Sequence, residues 1–256
     1  MAVTCCASCM LLMLLILAAA NTQPSQRTKK VFDVSCDQNS ESQRDCQNKS
    51  LETVAATVQE NTYTDVQINV KIPQLHLKST VNFTNLKTLT ISGEPTPTTI
   101  ICTAGDSHSA GIVLDNITDT VTLNNLRQTF CGSRVIVNFD RIYDETYSKI
   151  LSSALTIVHC HDMELEELII ERSRGNGLTI FNLQGGRVYI KSSIFIDNEL
   201  PSEYINATEP VYGGSGVCIL LGKFLQGQYS PMTIQFDNCT FRNNTAHTEH
   251  YNLGQT

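Results

Sequence analysis

Glu164 and Glu166 lie two residues apart, so on an extended segment both carboxylates project from one face. Arg187 follows one repeat later in the chain. Two carboxyl groups and a guanidinium can do general acid–base work: one acid gives a proton, the other takes one, and the cation holds developing negative charge. The remaining acidic candidates are Asp162 and Glu167 on the same segment, and Asp197 and Asp237 on two others. When the repeats are aligned, Asp237 falls opposite Lys191, so Asp197 and Asp237 do not form one acidic ladder. A solvated strand face accounts for the Glu164, Glu166 and Arg187 trio more simply. Alternation turns both glutamates outward whatever the function, and an exposed ion pair contributes little to stability.

Other chemistries have less to stand on. His76, His108, His159 and His161 are scattered, and Ser109 beside His108 lacks the Gly-x-Ser-x-Gly setting of a nucleophile elbow. Cys160-His161-Asp162 reads as a strand-end cysteine beside a surface histidine, without metal-ligand spacing. Gly175-Asn-Gly177 and Gly185-Gly186 are turn positions, because neither opens a helix after a strand as a phosphate loop must. No calcium-loop pattern occurs, and no cofactor or metal site is expected. Tyr147, Tyr189 and Tyr204 are the aromatic candidates for a glycan contact, in a chain without tryptophan. The formal net charge is -7 with both signs mixed, which argues against nucleic acid and its concentrated basic footprint.

The elements that must hold these residues are short strands. One strand-sized pattern returns at Val121–Leu126, Met163–Leu168, Val188–Asn198 and Ile234–Asn244, and the last two align without a gap. The starts are 42, 25 and 46 residues apart. The shortest step suits one coil of a solenoid; each longer one suits a coil with a bulging loop, or nearly two coils. Loops of that kind are expected at 140–149 and 199–212. From Val66 onward apolar residues alternate with polar ones, and the runs end in Gly, Asn, Asp, Ser or Pro. Single strands are expected over 163–170, 187–196 and 232–241, with others at 99–102, 112–114, 134–138, 155–158, 178–180 and 217–221. No helical pattern long enough for a βαβ crossover separates them. The one helix expected is 50–59, with Ser50 as its cap and Leu51, Val54, Ala55 and Val58 on one face. Its place before the first strand suits a cover for the end of the core.

The N-terminus speaks about compartment. Residues 1–20 read as a secretion signal: Met10 to Ala20 is apolar and ends in three alanines. No later run approaches the ~20 apolar residues that span a bilayer. Residues 21–49 read as a polar, loosely ordered loop, 50–246 as the β domain with its helix, and 247–256 as a polar tail. The absence of a C-terminal cap suggests a truncation mid-solenoid, an open last coil that would self-associate, and a membrane anchor in any longer form. The leader removes Cys5, Cys6 and Cys9 from the ten cysteines and leaves seven, an odd number. Cys36 with Cys46, and Cys102 with Cys131, are the candidate disulfides in an oxidising compartment. Asn48, Asn82, Asn116, Asn206, Asn238 and Asn243 stand in Asn-x-Ser/Thr acceptor sequences and mark solvent-facing chain if glycosylated.

Phe195-Ile-Asp-Asn198 and Phe241-Arg-Asn-Asn244, with Gly213-Gly-Ser-Gly-Val217 between them, carry a resemblance. Over roughly 60–246 the chain resembles the right-handed parallel β-helix proteins, the pectate-lyase-like superfamily. It looks closest to repeat-rich extracellular or surface members with Phe-x-x-Asn and Gly-Gly-x-x-Val/Ile motifs. The resemblance implies an all-β solenoid, a right-handed parallel β-helix with an N-terminal capping helix. It also implies two functional expectations, because that fold hosts both enzymes and binding modules. The first is a non-catalytic secreted or cell-surface protein serving adhesion, matrix or binding of a glycan or protein. The alternative is a calcium-dependent polysaccharide lyase or glycoside hydrolase for an acidic glycan, with Glu164, Glu166 and Arg187 as its residues.

Overall fold

In the computed structural model the described residues are 28–35, 50–94, 97–103, 110–140, 146–181, 185–200, 211–220 and 232–245. The expected leader, the Cys36–Cys46 pair, Asn48, Asn206, His108, Ser109, Tyr204 and the 247–256 tail lie outside them. Within 21–49, which the polar composition marks as loop, Lys29–Val34 is strand β1. Its residues pair in parallel with Asp65–Val70, and that partner supplies what its own sequence does not announce.

Helix α1 (Leu51–Glu60) forms as its pattern requires. The Ser50 side chain accepts from Thr53 N, and Leu51, Val54, Ala55 and Val58 are the buried face. Then the strands run β2 (Asp65–Val70), β3 (Gln74–Leu77), β4 (Val81–Thr84), β5 (Thr88–Gly93), β6 (Thr98–Cys102) and β7 (Ile112–Asp115). They continue β8 (Thr120–Asn124), β9 (Leu126–Thr129), β10 (Ser133–Asp140), β11 (Thr146–Val158), β12 (Asp162–Glu166) and β13 (Ile169–Glu171). The last are β14 (Asn176–Phe181), β15 (Gly186–Lys191), β16 (Ile194–Ile196), β17 (Val211–Tyr212), β18 (Val217–Leu220), β19 (Met232–Asp237) and β20 (Thr240–Arg242).

They build three sheets, with orders β1-β2-β5-β8-β12-β15-β19, β20-β16-β13-β9-β6-β3 and β18-β14-β11-β7-β4. From β2 onward the chain visits the first, second and third sheet in turn and returns to the first. The pairing along each of those orders is parallel. Single columns of inward side chains therefore run the length of each sheet. In the first sheet one is Val66, Leu89, Val121, Met163, Val188 and Ile234. Residues from all three sheets and α1 share one apolar cluster. The steps of 42, 25 and 46 are thus one circuit each, since Val121 pairs Met163, Met163 pairs Val188 and Val188 pairs Ile234.

Two expectations needed correction. The runs 163–170, 187–196 and 232–241 are not single strands. Each turns from the first sheet into the second at one left-handed residue, Glu167 (φ 53), Ser192 (φ 49) or Asn238 (φ 50), with Asn125 (φ 56) in the same column. Only two of these four are asparagine, so the corner escapes a search for turn residues. The second correction concerns 140–149, which is no simple bulging loop. There β10 and β11 pair antiparallel from Ser133↔Ser153 to Asp140↔Thr146, a hairpin added to the edge of the circuit.

Candidate ligand-binding face

The outward side of the first sheet is where the sequence puts its chemistry. Each of its inner strands offers three outward positions, and parallel register carries them into columns. One column reads Asp65, Thr88, Thr120, Asp162; a second reads Gln67, Thr90, Thr122, Glu164, Tyr189, Gln235. The third reads Asp33, Asn69, Ser92, Asn124, Glu166, Lys191, Asp237. The face is therefore neutral, with hydroxyl and amide groups, over β5 and β8, and charged over β12, β15 and β19. The sequence reading missed the Thr88-Leu-Thr90 and Thr120-Val-Thr122 pair; their identical Thr-x-Thr spacing was the available signal.

The Glu164, Glu166 and Arg187 trio does not meet. Glu164 stands beside Tyr189, and Arg187 beside Thr233, at the other end of β15 from Lys191. The partner of Glu166 is Lys191, with Nζ donating to Oε1 at 2.6 Å. That bond, ahead of the neighbouring carboxylate charge, raises the Lys191 pKa above the ordinary lysine value. Tyr189 donates its hydroxyl to Asp237 Oδ2 at 3.2 Å. Partial desolvation first, and then Asp237, push the Tyr189 hydroxyl up. Asp162 is occupied structurally, because its Oδ1 accepts from Arg187 N at 2.7 Å.

Elsewhere the same cross-strand logic ties charges together. Arg127 on the second sheet binds Glu171 through both oxygens at 2.8 Å. At the N-terminal edge Lys71 donates to Asp33 at 2.9 Å and holds that carboxyl below its ordinary range. His159 and Asp115 sit 2.8 Å apart at a corner. Among the described residues no group of three or more His, Cys, Asp or Glu side chains is arranged to hold a metal. No described helix is long and apolar enough to cross a membrane.

Cysteines and acceptor asparagines take definite places. Cys102, ending β6, is bonded to Cys131 just past β9, one circuit along. Among the described cysteines Cys160, Cys218 and Cys239 are unpaired. Burial pushes the Cys160 thiol up to about 12. Asn82, Asn238 and Asn243 are exposed and Asn116 is half-buried, its Nδ2 donating to Asn85 Oδ1 at 2.7 Å.

The Phe-x-x-Asn and glycine motifs prove to be one packing unit. Phe195 stacks on Phe241 at 5.2 Å with 9° between the rings. Asn198, fully buried, accepts from Ser173 N at 3.0 Å and donates to Asn244 Oδ1 at 2.8 Å. A Cβ on Gly216 would lie 2.8 Å from Asn244 Nδ2 and 3.0 Å from the Phe241 ring. Gly177, one circuit earlier, would meet Asn198 Nδ2 at 3.0 Å and Phe195 at 3.2 Å. The glycine opens the space that the aromatic ring and amide fill. No protein-family model, no curated protein and no solved structure matches this chain.

Proposed function

We propose that the chain is a right-handed parallel β-helix of the pectate-lyase-like kind. In this reading it is a secreted or cell-surface glycoprotein that binds an extracellular glycan or protein without cleaving it. The three-sheet order, visited in rotation by parallel strands, supports the β-helix, and crossover connections between parallel strands favour the right-handed sense. A spin label at Thr90 paired with one at Thr122, and then at Tyr189 paired with Gln235, tests the stacking. Adjacent strands separate such positions by about 4.8 Å, so each pair should give strongly coupled spectra. Widely separated labels would overturn the fold reading.

One observation carries the functional reading: the acid–base candidates are drawn into structural pairs along an open sheet face. Glu166 is held by Lys191, Asp237 by Tyr189, and Asp162 by the Arg187 backbone. Hydrolysis or elimination needs instead two acids, or an acid and a base, converging on one bond. The neutral Thr88, Thr90, Thr120 and Thr122 array supplies hydroxyl donors and acceptors suited to a sugar or a polar protein surface. A panel of acidic polysaccharides, with and without calcium, tests the reading through the ultraviolet absorbance of an unsaturated product and through reducing ends. We expect no turnover with wild-type protein. Turnover abolished by Glu164→Gln or Glu166→Gln would establish the lyase or hydrolase alternative in its place. Immobilised neutral and acidic glycans measure binding, and loss with Thr90→Val and Thr122→Val locates it on this face.

A further inference from the structure

We propose, resting on the β-helix reading above, that a second copy of this chain docks tail to tail on the last circuit and forms a two-fold dimer. The three sheets end at β18, β19 and β20, which stand last in their sheet orders. Their outer edges present backbone groups of the kind that recruit another strand. Side chains that are sealed one circuit earlier are open here. Phe195 and Ile190 are fully buried, whereas Phe241 and Phe236, next in the same columns, are 48% and 42% exposed. Beside them an open recess of ≈ 690 Å³ is bounded by Gly216, Val217, Ile219, Phe236 and Phe241.

Chemistry and geometry select the occupant. A head-to-tail stack would need a free N-terminal end. There α1 lies against β4, the edge strand of its sheet, and buries Leu51, Val54, Ala55 and Val58. A two-fold axis instead brings identical ends together and closes the assembly. Passed through Gln235 on β19, it pairs that strand antiparallel with itself. Ile234 then faces the partner's Phe236, both on the inward side, and Thr233 faces the partner's Asp237. The same axis lays β20 antiparallel on the partner's β18, so all three edges are covered at once. It brings Phe241 over the partner's Val217 and Ile219, at the recess. The charged residues of these three strands are Asp237 and Arg242, one of each sign, and the register sets no like charges opposite.

Gln235 gives a test that only this register satisfies. It is exposed and lies on the axis, so Gln235→Lys sets two ammonium groups opposite each other, and Gln235→Glu two carboxylates. Analytical ultracentrifugation of the full chain should show a dimer, with the dissociation constant raised about fivefold by either variant and restored in their equimolar mixture. Phe241→Arg should give a monomer with an unchanged far-ultraviolet spectrum. A monomeric wild type overturns the inference, as does a dimer indifferent to both Gln235 variants. A monomer that becomes dimeric when residues 246–256 are deleted assigns the end to the chain's own tail and also overturns it. The spin-label distances separate the two readings: strong coupling at Thr90–Thr122 in a monomer leaves the β-helix standing and removes only the dimer.

Discussion

Replacing Asn198 by alanine should be far more damaging than the same change at Asn244, although both end a Phe-x-x-Asn motif. Asn198 is fully buried. Its Oδ1 accepts from Ser173 N at 3.0 Å, and its Nδ2 donates to Ile170 O at 3.3 Å and Asn244 Oδ1 at 2.8 Å. Ser173 is itself buried, so Asn198→Ala strands its N–H where water cannot reach; an orphaned buried donor costs about 1–3 kcal/mol. The two lost donor bonds add roughly 1 kcal/mol together, since one is long and Asn244 Oδ1 keeps the bond from Asn198 N. The expected loss is about 3 kcal/mol. At Asn244, half-exposed in the last circuit, solvent takes over the vacated groups and the loss should be about 1 kcal/mol. Urea denaturation followed by circular dichroism measures both, provided the m-value stays constant. Equal losses at the two positions would refute the claim that burial of the ladder, rather than the motif itself, sets its energetic weight.

Gln128 stands in an inward column between Ile100 and Ile170, 3% exposed, with no hydrogen-bond partner for Oε1 among the described residues. Gln128→Met keeps the length of the side chain and removes the orphan, and should raise stability by about 1 kcal/mol in the same denaturation assay. Removing the Cys102–Cys131 bond, which spans 29 residues, by Cys102→Ala with Cys131→Ala should cost about 3 kcal/mol. Thiol reactivity separates the free cysteines: Cys160 should resist alkylation in the native state while half-exposed Cys239 reacts, as read by mass spectrometry. The Cys160 pKa is raised, so its contribution to stability is complete below the ordinary thiol value of 9.0. It should be lost as pH rises from there toward about 12, which a Cys160→Ala variant would not share.

Much of the architecture is legible in the residues. Period-two alternation identifies which side chains face inward, because a strand has no other way to bury one side. The gap-free match of 188–198 with 234–244 anticipates true register, Val188 on Ile234 and Phe195 on Phe241, and even sets Lys191 opposite Asp237. Helix α1 follows from its cap and its four apolar positions, which are local signals. The Cys102–Cys131 pair follows from like positions at strand ends.

The tertiary structure decided what depends on neighbours 25 to 46 residues away in the chain, a distance over which loop length conceals register. Arg187 looked like the partner of Glu164 and Glu166; the stacking gives Glu166 to Lys191 instead, since a shift of two or four residues along a strand moves a side chain beyond reach. The left-handed corners at Glu167 and Ser192 arise because the chain must pass between sheets there, whatever residue is present. β1 gains its order from β2, and the β10–β11 hairpin from pairing partners, rather than from strong patterns of their own. Alternation is a local consequence of burying one face, so sequence alone carries it. Which charges meet, and which ends stay open, are properties of the stacked circuits.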